Sequence, residues 1–216
     1  MIKQGLLLIM PTVFIYIGLT VFQNILITFL LFYGWLLFIP LFVASWKRTK
    51  SSSLQLAFSK KNILVGIISG LICLIFIYGF VIVFQSSLID IKQLQQLLER
   101  WDFSGTKVII LVLVLALINP ILEELYWREF MYGRISLKLG NVLAVVITAI
   151  FYSMYHLIVV QEIFSFPFNV LAVIPVFLAG IMWGIFRIEL GSITAPIISH
   201  CLADIGIMLV YWNIIL

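Results

Sequence analysis

The sequence predicts an all-α fold: a polytopic membrane helix bundle of about seven transmembrane helices plus one amphipathic interfacial helix. Three observations carry that prediction. Hydrophobic residues make up 64% of the 216 and charged residues only 10%, against about 25% charged in soluble domains. The apolar residues fall in runs of the ~20 that a bilayer crossing needs. The basic residues gather between those runs, which is how membrane orientation is encoded. The net charge of +4 therefore points to topology and not to nucleic acid.

Residues 5–22 and 25–45 form the first two runs, with a polar turn at Gln23-Asn24 between them. No small-residue cleavage site follows the first run, so it reads as a span and not as a removed signal. Residues 46–62 carry Lys47, Arg48, Lys50, Lys60 and Lys61 around three serines. Such a basic loop belongs on the cytoplasmic side, which puts the N-terminus inside and sends the third span, 63–86, outward. In residues 88–103, Ile91, Leu94, Leu98 and Trp101 recur at helical spacing among charged and amide side chains. That is an amphipathic helix lying at the outer interface. The fourth span runs from Lys107 to about Gly133, with Arg128, Arg134 and Lys138 at its cytoplasmic end. The fifth covers 141–160, with Gln161 and Glu162 in an outer loop. The sixth covers 168–186, followed by Arg187, and the seventh opens at Gly191 and ends near Tyr211.

The first three spans hold no charged residue in their interiors. The last four hold Glu123, Glu124, Arg128, His156, His200 and Asp204, including both histidines of the chain. This contrast divides the chain into a scaffold with its interfacial helix, residues 1–105, and a working bundle, 106–216. Ionisable groups at membrane depth are costly and mark functional sites that face a protein interior or wet cavity. Glu124 and Arg128, and likewise His200 and Asp204, are four apart and share a helix face. Pro120 sits just upstream of the acids, where it removes a backbone hydrogen bond. Cys73 and Cys201 lie in apolar runs with no metal or disulfide spacing. Cys201 cannot pair with the adjacent His200, because neighbours on a helix face apart.

A carboxylate in a dry pocket is a better base than one in water, which suits activation of a water molecule. Nearby imidazoles can hold that water or donate to an oxyanion. The set points to hydrolysis. His156, His200 and Glu123 would also satisfy a catalytic zinc, although no His-Glu-x-x-His helix occurs. A proton or ion relay uses the same residue types, but no interrupted helix repeats between the halves.

The residues, in this order, resemble the CAAX-protease and bacteriocin-processing (CPBP, Abi) family of intramembrane proteases. Its Glu-Glu-x-x-x-Arg motif is matched by Glu123 to Arg128. Its Phe-x-x-x-His motif is matched by Tyr152 to His156, with Tyr in place of Phe. Its His-x-x-x-Asn/Asp motif is matched by His200 to Asp204 in the Asp form. Residues 180–191 resemble the family segment before the last motif, and the likeness spans about 107–205. The resemblance implies an endopeptidase, glutamate-type or metallo, in which Glu123 activates water with help from His156. His200 and Asp204 would stabilise the oxyanion, and Glu124 and Arg128 would fix the helix geometry. It implies a metal-free mechanism, with zinc as the alternative cofactor. The implied partners are a peptide or membrane-protein substrate and the lipid bilayer. The implied setting is the bacterial cytoplasmic membrane, with bacteriocin maturation or self-immunity as roles.

Two departures shape the expectations. Asp204 cannot donate to an oxyanion unless it is protonated, so otherwise it only orients His200. The Tyr152 hydroxyl needs a partner. The drawn helices also disagree in depth. At 1.5 Å per residue, Glu123 and His200 fall roughly 15 Å from the cytoplasmic helix ends and His156 about 25 Å. Convergence then requires a fifth helix that is tilted, broken or late in starting. The rival from another class is a non-catalytic membrane immunity protein that binds a toxin or its receptor.

Overall fold

A computed structural model describes residues 4–46 and 56–216. Among the described residues there is no strand, and eight helices carry the chain. They are α1 Gln4–Val21, α2 Ile25–Trp46, α3 Lys60–Leu88, α4 Ile91–Arg100, α5 Val108–Leu139, α6 Asn141–Ile163, α7 Phe168–Leu190 and α8 Thr194–Ile215. All but α4 are long and apolar enough to cross a membrane. The protein is an all-α polytopic bundle with the composition of an integral membrane protein. Lys47, Arg48, Lys50 and the three serines of the basic loop lie outside the described residues.

Three boundaries differ from the sequence reading. α5 continues past Gly133 to Leu139, and Gln161 and Glu162 form the last turn of α6 instead of a loop. α8 begins at Thr194 and not at Gly191. Gly191 instead ends α7 at φ +62°, a left-handed cap that glycine adopts without a Cβ clash.

The helix ends on one side are tied together by α4. Asp90 caps α4 by accepting from the Gln93 amide at 3.1 Å. Leu94, Leu97 and Trp101 are buried beneath it, while Ile91 is exposed. The apolar stripe is thus rotated from the predicted one, because Leu97 takes the inner place assigned to Leu98. The Ile25 amide donates to the Trp101 carbonyl at 2.7 Å, and Ser165 donates to Leu88 at 3.0 Å. Gln95 Nε2 reaches the Ile215 carbonyl. At the opposite end Ser59 caps α3 by accepting from Asn62. The Ala57 amide there bonds Ser192 Oγ at 3.0 Å and Thr194 Oγ1 at 3.1 Å.

α3 packs along α8 through small residues. A Cβ on Gly70 would come within 2.9 Å of Ser199 Cα, and one on Gly206 within 3.0 Å of Leu74 Cα. Close backbone approach of this kind holds membrane helices together by dispersion where the hydrophobic effect is weak. α6 and α7 meet the same way at Gly184, beside Val145. α1 and α2 pack on α5 and α6, where Trp35 Nε1 donates to Tyr126 Oη and Tyr126 donates to the Leu7 carbonyl.

α5 is a continuous helix with two wide-turned π segments, Val114–Ile118 and Leu125–Met131. The first precedes Asn119-Pro120, where the proline ring cannot accommodate a regular turn before it. The second begins directly after Glu124. Single π turns inside α-helices recur at functional sites, and these two bracket the acidic pair.

Candidate active site

Glu123, Glu124, Arg128 and His200 are each at most 1% exposed, in mid-bundle. Uncompensated burial of such groups is prohibitive, so each should have partners. Glu124 Oε1 lies 3.0 Å from His200 Nδ1 and 3.2 Å from Arg128 Nη1. The Arg128 Nη2 donates to the Gly180 carbonyl of α7 at 3.2 Å. Its guanidinium also lies over the rings of Tyr152, at 4.6 Å, and Trp183, at 5.2 Å. One arginine thereby fastens α5 to α6 and α7.

His200 is held on three sides. Glu124 takes Nδ1, and Trp183 stacks on the ring at 4.1 Å. The Trp183 indole is itself fixed by donating to Ser199 Oγ at 3.0 Å. Since an ionised Glu124 only accepts, Nδ1 carries a proton, and Nε2 points into the site. Around Nε2 stand Glu123 Oε2 and Asp204 Oδ1, each at 3.6 Å, and Tyr152 Oη at 3.4 Å. Asn119 Nδ2 donates to Asp204 Oδ2 at 3.1 Å. The His200–Asp204 face expected from spacing is present, but the shorter contact to the imidazole comes from Glu124 on another helix.

His156 takes a different place. Its residue is half-buried, and its ring packs 4.7 Å from that of Tyr152 and 4.6 Å from that of Tyr155. Among the described residues its Nε2 has no hydrogen-bond partner, and it interacts electrostatically with His200 and Arg128. Seven buried side-chain atoms have no hydrogen-bond partner among the described residues; four belong to this site, Glu123 Oε2, Glu124 Oε2, Arg128 Nη1 and His156 Nε2, and three lie elsewhere, on Thr12, Arg134 and Asn169. Buried polar atoms are normally satisfied, so a cluster of orphans on one site marks groups set aside for chemistry or a ligand.

The depth disagreement resolves without bending α6, which starts at Asn141 as drawn. Because α5 runs on to Leu139, Glu123 lies about 24 Å from that end, and His156 about 22 Å from the start of α6. His200 is only about 9 Å into α8, but that helix begins inside the bundle. Ser192 and Ile193 are fully buried and Thr194 is 2% exposed, under the chain around Ala57.

The zinc alternative fits poorly. Among the described residues no group of three or more His, Cys, Asp or Glu could hold a metal ion. His200 Nε2 stands 3.6 Å from Glu123 Oε2, whereas the His156 ring packs against those of Tyr152 and Tyr155. Cys73 and Cys201 are free thiols, both half-buried.

Sequence reasoning missed Asn119, Trp183 and Tyr155. Asn119 was legible, as a polar residue in an apolar run one turn before Glu123 and on its face. Trp183 had no distinguishing signal among many aromatics. Tyr33 of α2 also interacts electrostatically with Glu123 and Asp204.

Residues 105–206 match the family model described as type II CAAX prenyl endopeptidase, Rce1-like. No curated protein and no solved structure matches the chain. The matched stretch runs from just before α5 to Gly206 and holds every site residue above; Tyr33 lies outside it. Over that stretch, just under half of the chain, the sequence is similar to the Rce1-like family of CAAX-type intramembrane proteases.

Proposed function

We propose that the protein hydrolyses a peptide bond with a water activated by Glu123. The observation that carries this reading is the Glu123 carboxylate itself. It is 1% exposed at mid-span, its Oε2 lacks a hydrogen bond among the described residues, and it stands 3.6 Å from His200 Nε2. A base so placed can take a proton from water as the water attacks a carbonyl carbon, and return it to the leaving amine. His156, with its orphan Nε2, helps to hold the water. His200 lines the side where negative charge develops. Asp204 accepts from Asn119 through Oδ2 and, as a carboxylate, positions His200. Glu124 and Arg128 set the imidazole and join the helices. No step requires a metal.

The substrate is a peptide or membrane protein that enters from the bilayer: the tail of a prenylated CAAX protein, or a precursor of bacteriocin type, in which case the role is maturation or self-immunity. The end bearing Lys60, Lys61, Arg134, Lys138 and Arg187 faces the cytoplasm of a bacterial cell, and so does the N-terminus. The test uses protein reconstituted in liposomes with both peptides. Wild type cleaves one of them, chelators leave the rate unchanged, and Glu123→Gln abolishes it. Wild-type turnover in Glu123→Gln overturns the mechanism. Chelator loss restored by zinc would favour the metalloprotease form.

A further inference from the structure

The hydrolytic reading leaves the Tyr152 hydroxyl without a task. The residue is 2% exposed. Its ring is fixed by Arg128 on one side and meets Trp183 edge-on at 5.9 Å. The oxygen ends 3.4 Å from His200 Nε2. The other neighbours of that nitrogen are two carboxylates, Glu123 and Asp204, and ionised carboxylates only accept hydrogen bonds. Most of the surrounding donors are committed. His200 Nδ1 serves Glu124, Asn119 serves Asp204, and Arg128 Nη2 serves the Gly180 carbonyl, while Arg128 Nη1 makes no hydrogen bond among the described residues but is held in an ion pair with Glu124 at 3.2 Å. A carbonyl gaining negative charge at this point needs a pre-placed donor. A tyrosine hydroxyl always carries one proton at neutral pH in water and can rotate it to suit.

We infer that Tyr152 is a catalytic residue: its hydroxyl donates to the tetrahedral oxyanion, a role that an ionised Asp204 cannot fill. The inference rests on the hydrolytic reading above and adds a residue to it. As the water oxygen bonds to the carbonyl carbon, its proton passes to Glu123 and the π pair moves onto the carbonyl oxygen. That oxygen takes the Tyr152 hydrogen bond in place of His200 Nε2. When the pair returns, the C–N bond breaks, and the amine receives the proton from Glu123. Tyr152 keeps its own proton throughout.

The test measures Tyr152→Phe on the peptide that wild type cleaves, together with inhibition by a phosphinic analogue of that peptide, which mimics the tetrahedral state. The expected result is a kcat lower by about 100-fold, an unchanged KM, and inhibition weakened by the same factor as kcat/KM. A kcat at the wild-type level, or a fall in kcat with inhibition unchanged, overturns the inference. If the variant shows no cooperative melting, fluorotyrosine placed at 152 keeps the shape and makes a stronger donor. Tighter phosphinic binding then supports the role, and unchanged binding overturns it. Turnover surviving in Glu123→Gln sinks the water-activation reading. Turnover lost there but kept in Tyr152→Phe sinks this inference alone.

Discussion

On the face of α8 turned to α3, Ala195, Ile198, Ser199 and Leu202 lie against Gly66 and Gly70, and Gly206 lies against Leu74. On the face turned to α5, His200 and Asp204 meet Glu123, Glu124 and Asn119. The first face is tight and uncharged, with glycines of one helix set against aliphatic side chains and backbone of the other. The second is buried just as deeply but is charged and incompletely hydrogen-bonded. Buried ionic groups contribute little net stability and are damaging when one partner is lost. The contrast teaches that the seam with α3 fixes where α8 stands, and the acids of α5 then find the imidazole already in position. Precision at the site is borrowed from packing behind it.

The sharpest way to break this division is Glu123→Gln. Turnover should fall by roughly 10³-fold, with the melting temperature in detergent unchanged. A large loss of stability would show that the site holds the fold together. The same position addresses the binding rival. Full protection of a sensitive strain by both Glu123→Ala and His200→Ala would favour a non-catalytic immunity protein. Next is Arg128→Met, which leaves Glu124 buried beside His200 without its guanidinium. Unfolding should become easier by about 3–5 kcal/mol, read as a drop in melting temperature. An unchanged melt would mean that the arginine only decorates the site. Gly70→Val acts on the other face and should cost about 1–3 kcal/mol by overpacking. The folded fraction should keep most of its kcat, measured per active site by titration with inhibitor. A dead but stable Gly70→Val protein would erase the distinction between the faces. The smallest effect belongs to Ser59→Ala, which removes the α3 cap and should cost about 1 kcal/mol with turnover unchanged.

How far the site could be read in advance depends on whether the partners share a helix. Glu124 with Arg128, and His200 with Asp204, follow from spacing of four, and both pairs are present. The link from Glu124 to His200 joins residues of α5 and α8, and no periodicity relates them. The motif order supplied Glu123, Glu124, Arg128, His156, His200 and Asp204, while the spacing of four gave the imidazole to Asp204, although Glu124 holds it more closely. Tyr152 was noticed as a hydroxyl in need of a partner. Its partner, His200 Nε2, became visible only once α6 lay beside α8.

The sequence by itself determined the seven apolar spans, the amphipathic helix and the acidic, basic and imidazole members of the site, because hydropathy and charge are local properties of the chain. The tertiary structure decided where in the bundle α8 begins, the two wide turns flanking the acids, and which oxygen meets which nitrogen. Those outcomes depend on how closely helices approach one another. Glycines and side-chain shapes on opposite helices set that distance jointly, and neither partner encodes it alone.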